Sequence, residues 1–292
     1  MNSIQVLSSN SVQVALCREV MSRGGEVNPR EMKTRELLGV SFELQNPRNR
    51  LTTLRGRNWS GALAVAEFLW HLRGDTSVDA LSFYTPKWKD FADSDGMVRG
   101  SCYGARIFSA KDRCRSQWDS VKALLRNDIS SRRAILSLMR EVDVSEETND
   151  LSCTSTLQFI VRENKLHAFV SMRSNDVIWG VPYDLFLFTS LQELMALELG
   201  LEVGRYFHSA ASMHIYEKHY ELAEVIGRSD QSAIDSGSMP CMTSMSDVRM
   251  LADDEISLRR HGVRRHKKDY RGFEASCLTL LNGHRKIKAI AA

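Results

Sequence analysis

The sequence contains no apolar run approaching the ~20 residues that a membrane-spanning helix needs. Its first residues hold no basic segment followed by an apolar one, the pattern of a secretory signal. No Cys-x-x-Cys pair occurs: the six cysteines, Cys17, Cys102, Cys114, Cys153, Cys241 and Cys277, are scattered. That spacing suggests neither a zinc site nor a redox motif, and free thiols fit a reducing compartment. Internal repeats are absent. Charge of either sign is hardly in excess, and a net +3 is too mild by itself to define a polyanionic partner. The expectation is a cytoplasmic protein without a metal and away from the membrane. What the chain does hold is apolar material: 43% of its 292 residues are hydrophobic and 26% charged, which is enough for a substantial core. That length suits one large domain or two ordinary ones.

Periodicity orders the elements. Ser11 to Arg23 reads as a helix, with Val12, Leu16, Val20 and Met21 at near-helical spacing. Glu36 to Leu44 alternates as a strand, and a polar stretch with Arg48, Arg50, Arg55 and Arg57 follows. Ser60 to Leu72 is apolar on nearly every side, the pattern of a buried helix, yet Glu67 sits in its middle. A buried carboxylate must be paired or neutral. Asp79 to Phe91 reads as a helix interrupted near Pro86 and carries Trp88, an indole that would serve equally as core filler. A helix is expected from Cys114 to Leu125 and a strand from Arg132 to Leu138. Leu157 to Arg162 and Lys165 to Arg173 read as paired strands around a Glu163-Asn164 turn. Asp184 to Leu199 is another nearly all-apolar helix, Leu201 to His208 a strand, and Ser212 to Ile226 helical toward its end. Residues 227–246 turn to Ser, Asp, Gly and Met, which marks a mobile loop or insertion. A charged helix is expected near Asp247 to Arg259, and residues 259–292 form a basic C-terminal region. Such a tract can be a nucleic-acid footprint, but Asp253, Asp254, Glu255 and Asp269 are interspersed with the bases and weaken that reading.

The most informative stretch runs from Arg173 to Asp184. A strand ends there in Arg173, Ser174 and Asp176, passes through Gly180 and Pro182, and opens an apolar helix. Irregular junctions on rigid elements are common functional sites, although an Asp beside a helix start is also an ordinary cap. Arg173, Ser174, Asp176, Val177, Gly180 and Pro182 together resemble the nucleotide- and folate-binding segment of the thymidylate synthase family. The resemblance continues in order along the chain: Glu67 to Asp75, Tyr103-Gly104, Ser131 to Arg133, Cys153 with Gln158, Leu201 to Gly204, and His214 with Tyr216. It spans roughly residues 30 to 220.

That resemblance implies an α/β fold of the thymidylate synthase type: a single domain over residues 1–292, with a mixed, curved sheet packed by helices. It also implies a homodimer formed sheet to sheet. Cys153 would be the nucleophile, suited because a thiolate is potent even as a minority species. An isolated cysteine is more often a small buried hydrophobe, as the apolar settings of Cys17 and Cys277 suggest. Around Cys153 the chain departs from the family's usual Pro and His, with Ser152 and Thr154 instead. Glu67 would line the pyrimidine pocket and organise proton transfer, and Tyr103 would join the catalytic group. Arg173 and Ser174 would bind the phosphate, since arginine grips phosphate bidentately and keeps its charge. Arg132 and Arg133 would complete that cradle from the partner subunit, and Arg30 would reach it from a flexible loop. Gln158, His214 and Tyr216 would contact the nucleotide, the last two at the sugar hydroxyl. Trp88, Asp176, Gly180 and Tyr183 would face 5,10-methylenetetrahydrofolate, the co-substrate.

One departure bears on the substrate. The family reads uracil with an Asn where this chain has Asp184. Uracil presents a donor at ring position 3 and an acceptor at position 4, and cytosine presents the reverse. A protonated carboxyl complements cytosine, and a site built for one pattern leaves unpaired groups against the other. The replacement resembles the deoxycytidylate hydroxymethylase branch. The expected substrate is therefore a pyrimidine nucleoside monophosphate, dCMP before CMP, with hydroxymethyl before methyl transfer and ordinary thymidylate synthesis disfavoured. A phage-encoded protein acting in its host's cytoplasm fits the same reading.

Overall fold

The computed structural model describes residues 4–110, 114–144, 148, 150–230 and 237–291. The chain divides into two compact units, each built from three separate segments. Met1–Trp59, Cys153–Gln192 and Glu202–Met239 form one, and Ser60–Ser152, Glu193–Leu201 and Pro240–Ala292 the other.

The first unit is built on a mixed sheet. Its strands are β1 (Ile4–Val6), β2 (Gly25–Val27), β3 (Thr34–Leu44), β5 (Thr154–Arg162), β6 (Lys165–Asp176) and β7 (Glu202–Tyr216), while β4 (Ile135–Ser137) belongs to the second unit. The order is β1-β3-β7-β6-β5, with β2 beside β3. β5 and β6 form a hairpin whose two turn residues, Glu163 and Asn164, have φ of 51° and 58°. Two successive left-handed residues are what a two-residue hairpin needs to match the twist of its strands. β6 and β7 run parallel and therefore require a crossover, which helix α6 (Gly180–Leu199) supplies. Helix α1 (Ser9–Arg23), capped by Ser8, buries Val12, Leu16, Cys17 and Val20.

Two expectations need correcting here. β7 does not end at His208: it continues to Tyr216, and helix α7 covers only Tyr220–Gly227. The extra strand residues are held from both sides, Ser212 to Ile215 by β3 and Ser212 to His214 by the end of β6. Pairing on both edges outweighs the local pattern. Helix α6 also starts a turn earlier than Asp184, because Pro182 lies in its first turn, where the missing N–H costs nothing.

The second unit centres on α2 (Gly61–Arg73), capped by Ser60 and closed by Gly74 in the left-handed conformation. Ala62 to Ala66 and Phe68 to His71 are all buried. Around it lie α3 (Asp79–Ser82), α4 (Tyr103–Ile107), α8 (Met245–His261) and α9 (Gly272–Ala291), and α5 (Gln117–Asn127) packs on α4 and β4. Gly104 shows why α4 approaches so closely: a Cβ there would stand 1.7 Å from the backbone oxygen of His71. The basic C-terminal region is folded around acidic partners. Buried Asp254 accepts bonds from the His266 backbone at 2.7 Å and the Tyr270 hydroxyl at 2.8 Å, and α9 follows. In the expected loop, residues 231–236 lie outside the described residues, and residues 237–244 have no regular structure. No helix among the described residues is long and apolar enough to cross a membrane.

Candidate active site

In the first unit the site forms where β5 begins and β6 and β7 end. Cys153 immediately precedes β5, beside a register irregularity between Thr154 and Thr156. Bulges of this kind re-aim neighbouring side chains. The Cys153 carbonyl accepts the Arg173 backbone N–H at 2.9 Å, and its Sγ lies 3.6 Å from Arg173 Nη2. A guanidinium beside sulfur favours the thiolate. Parallel register sets Ser174 beside Ser212 and Asp176 beside His214. Ser174 Oγ is 3.4 Å from His214 Nδ1, and the His214 and Tyr216 rings meet edge to face at 5.1 Å. Burial lowers His214 and raises the Tyr216 phenol, and Asp176 opposes the first effect and adds to the second. The charges of Arg30, Cys153 and Arg173 also reach Tyr216. The fold thus gathers Cys153, Arg173, Ser174, Asp176, His214, Tyr216 and Arg30. Arg30 and Glu31 both have positive φ, at 50° and 61°, a strained presentation of the kind functional loops hold.

Asp176 has a second task. Its Oδ1 accepts the Ile178 N–H at 2.8 Å, which turns the chain into α6. Burial raises its carboxyl, against the hydrogen bonds from Ile178 and Trp179. Asp184, on α6 and half-buried, accepts from the Asn175 side-chain amide; burial pushes its carboxyl up to about 7. Gly180 is required by packing, since a Cβ there would meet Asn175 Oδ1 at 2.2 Å. Tyr183 is buried against Trp59, with centroids 5.8 Å apart. Gln158 lies further along β5, opposite Phe169 and on the same face as Ile160.

The second unit places Glu67, Trp88 and Tyr103. Glu67 is the half-buried position on an otherwise buried stretch of α2, and its Oε1 accepts from Trp88 Nε1 at 3.0 Å. It is less enclosed than the apolar pattern implied, and its partner is an indole. Tyr103 is buried and stacks on His71, with centroids 5.4 Å apart and planes 3° from parallel. Arg132 and Arg133 are adjacent and both exposed. Among the described residues no group of three His, Cys, Asp or Glu side chains could hold a metal ion.

Sequence reasoning missed the buried polar residues Asn175, His208, Tyr206 and Arg57 of the first unit. Asn175 and His208 hydrogen-bond each other, Tyr206 bonds His208, and Arg57 bonds the Ile178 carbonyl under the Trp179 ring. Arg50 also proves buried, on Ser190 Oγ at 2.8 Å, although a polar run with four arginines reads as solvated. The available signal was the placing of His208 and Tyr206 at alternate positions of a strand whose inward side is otherwise apolar.

The family model described as thymidylate synthase matches residues 13–253. With that match over most of its length, the chain belongs to the thymidylate synthase family. It is 32% identical over 216 residues to a deoxyuridylate hydroxymethyltransferase of Bacillus phage SP01, covering 69% of this chain and 55% of that protein. It is 33% identical over 165 residues to the thymidylate synthase of Vesicomyosocius okutanii subsp. Calyptogena okutanii (strain HA), covering 55% of this chain and 62% of that protein. The matches therefore span between half and two thirds of these relatives' own lengths. Thermostable thymidylate synthase A from Bacillus subtilis superposes with a TM-score of 0.62 at 21% identity, over 75% of this chain and 83% of that one. The mixed sheet packed by helices is thus the thymidylate synthase fold.

Proposed function

We propose that the protein transfers a one-carbon unit to carbon 5 of a pyrimidine nucleoside monophosphate, and that it is a dCMP 5-hydroxymethylase. The observation that carries the cytosine assignment is Asp184, whose carboxyl burial pushes up to about 7. Near neutrality a large share of it is protonated. In that form it donates to cytosine position 3 and accepts from the amino group at position 4. The relative named deoxyuridylate hydroxymethyltransferase supports water, rather than hydride, as the final addend. Its name also favours a second reading, hydroxymethylation of dUMP, which the same experiment decides.

Cys153 adds through sulfur to carbon 6, which makes carbon 5 nucleophilic. Methylenetetrahydrofolate supplies carbon at the oxidation level of formaldehyde; half-buried Trp88 offers an aromatic face suited to it, with Asp176, Gly180 and Tyr183 as further contacts. Glu67 positions water and moves the proton that leaves carbon 5. Carbon 5 bonds to the carbon so supplied, and tetrahydrofolate departs as the proton leaves carbon 5; water adds to the resulting exocyclic methylene of the pyrimidine, and departure of the Cys153 thiolate restores the ring. Arg173, Ser174 and Arg30 take the phosphate, His214 and Tyr216 the sugar hydroxyl, and Gln158 a further nucleotide contact. Arg132 and Arg133 act across a homodimer interface, a role their exposure permits. The single-domain organisation belongs to the same proposal, supported by a chain that crosses between its two units repeatedly.

Incubation with methylenetetrahydrofolate and dCMP, CMP or dUMP in turn, followed by mass spectrometry, tests this. Hydroxymethyl-dCMP as the main product is expected. Turnover of dUMP alone overturns the base assignment, and a methylated product overturns the final step.

A further inference from the structure

Behind Asp184 lies a chain of buried polar groups that no step above uses. Tyr206, His208 and Asn175 are at most 3% exposed. Tyr206 Oη is 2.9 Å from His208 Nδ1, and Asn175 Nδ2 is 3.1 Å from His208 Nε2. An amide nitrogen only donates, so His208 Nε2 accepts and carries no proton. Burial keeps that imidazole neutral, with its pKa lowered to about 3, so the remaining proton is on Nδ1 and points to Tyr206. Phe42 lies flat on the His208 ring, with centroids 4.7 Å apart and planes 9° from parallel, and fixes its orientation. At the other end the Asn175 carbonyl oxygen lies close to Gly180, where a Cβ would stand 2.2 Å from it. With oxygen on that side, the amide nitrogen faces His208 and Met172 Sδ, the latter at 3.0 Å, and reaches the Asp184 carboxyl. Burial raises the Tyr206 phenol and the Asp184 charge adds to it, so the set closes on itself.

A core site would normally take apolar side chains, because buried polar groups stabilise only when fully satisfied. This set fixes one tautomer and one amide orientation and ends on the residue argued to read the base. We propose that Tyr206, His208 and Asn175 are positioning residues that hold the Asp184 carboxyl in the orientation that reads the pyrimidine. The proposal rests on the assignment of Asp184 as the base-reading group. The ionisable groups around that carboxyl are Asp176 at the end of β6 and Tyr206 on β7; His214 of β7, His219 beyond it, Arg57 before α2 and the Cys17 thiol of α1 surround Asp176. Burial and Asp176 push Asp184 up, and the Asn175 amide pulls it down. Loss of the amide, or of the imidazole that aims it, should therefore move the Asp184 titration to higher pH.

The test titrates the Asp184 carboxyl by carbon-13 NMR in the nucleotide-free protein, with the signal assigned by its loss in Asp184→Asn. Asn175→Ala and His208→Phe should raise the midpoint by more than about half a pH unit; although more of the carboxyl is then protonated, it is no longer held in orientation, and the dCMP-to-dUMP ratio of kcat/KM should fall about tenfold or more. His208→Gln keeps an acceptor for the amide and should stay near wild type in both readouts. If Asn175→Ala does not fold, His208→Phe against His208→Gln, together with Tyr206→Phe, carries the same comparison. An unmoved midpoint in folded variants overturns the proposal. A ratio that Asp184→Asn changes, but the relay variants leave alone, overturns the relay and spares the base assignment. A ratio that Asp184→Asn also leaves alone overturns the base assignment, and the relay's part in specificity with it.

Discussion

Trp88 donates its indole N–H to the carboxylate of Glu67 at 3.0 Å. The two were expected in separate roles, one at the folate and one at the pyrimidine, yet a single bond ties them. A hydrogen bond to a charged group is worth roughly 1.5–3 kcal/mol. Trp88→Phe keeps a ring and loses the donor, so kcat should fall about tenfold or more while the KM for folate changes little. Trp88→Ala loses the aromatic face as well and should raise that KM. Steady-state kinetics on the pair of variants checks both.

Cys153→Ser should abolish turnover and leave nucleotide binding intact, because an alcohol is a far weaker nucleophile than a thiolate. Mixed with Arg133→Ala, it should recover activity clearly above either parent if the exposed arginine serves the partner's site. In such a mixed dimer one site carries both lesions and the other neither. Absence of recovery after demonstrated subunit exchange would argue that each site comes from one chain.

With a carboxyl pushed up to about 7, kcat/KM for dCMP should fall as pH rises through that value, since the protonated form is the one that complements cytosine. Asp184→Asn removes this limb and should move preference toward dUMP by about tenfold to several hundredfold, at roughly 1–3 kcal/mol for each unpaired buried group. The measurement is kcat/KM for both nucleotides against pH. A limb that persists in the variant belongs to another group.

Gly104→Ala should be strongly destabilising. The new methyl would stand 1.7 Å from the His71 oxygen and 2.4 Å from its carbon, and backbone atoms cannot yield as a flexible side chain can. Overpacking of this kind costs about 1–3 kcal/mol or more. Urea denaturation reads the loss directly. Tyr103 and His71, stacked at the same contact, should be disturbed with it and lower activity in whatever folds.

His71 and His208 are both lowered to about 3 by burial. Folded, they stay neutral; unfolded, they take up protons below about 6.5. Their contribution is therefore full above about 6.5 and is lost as pH falls toward the folded values, at up to about 1.4 kcal/mol per pH unit for each group. His208→Gln removes one titrating site and should make the acid-side loss of stability shallower. Urea midpoints at a series of pH values test the slope.

Local chemistry was enough to specify much of the molecule. The apolar run of α2, the Glu163-Asn164 hairpin turn and the cap-rich start of α6 each carry their own signal at short range, and the order of motifs from Glu67 to Tyr216 carried the family. Contacts distant in sequence were not legible. β7 runs on to Tyr216 because β3 and β6 pair with it from both sides, and neither partner is visible in the local pattern. Arg50 and Arg57 read as solvated charges until Ser190 and the Ile178 carbonyl, each more than 100 residues away, are seen to bury them. Asp184 was singled out by its position in the sequence. What holds it was not legible there: parallel pairing and a crossover helix bring Asn175, His208 and Tyr206 around one carboxyl, and desolvation in that shared space, rather than any residue by itself, sets how readily it gives up its proton.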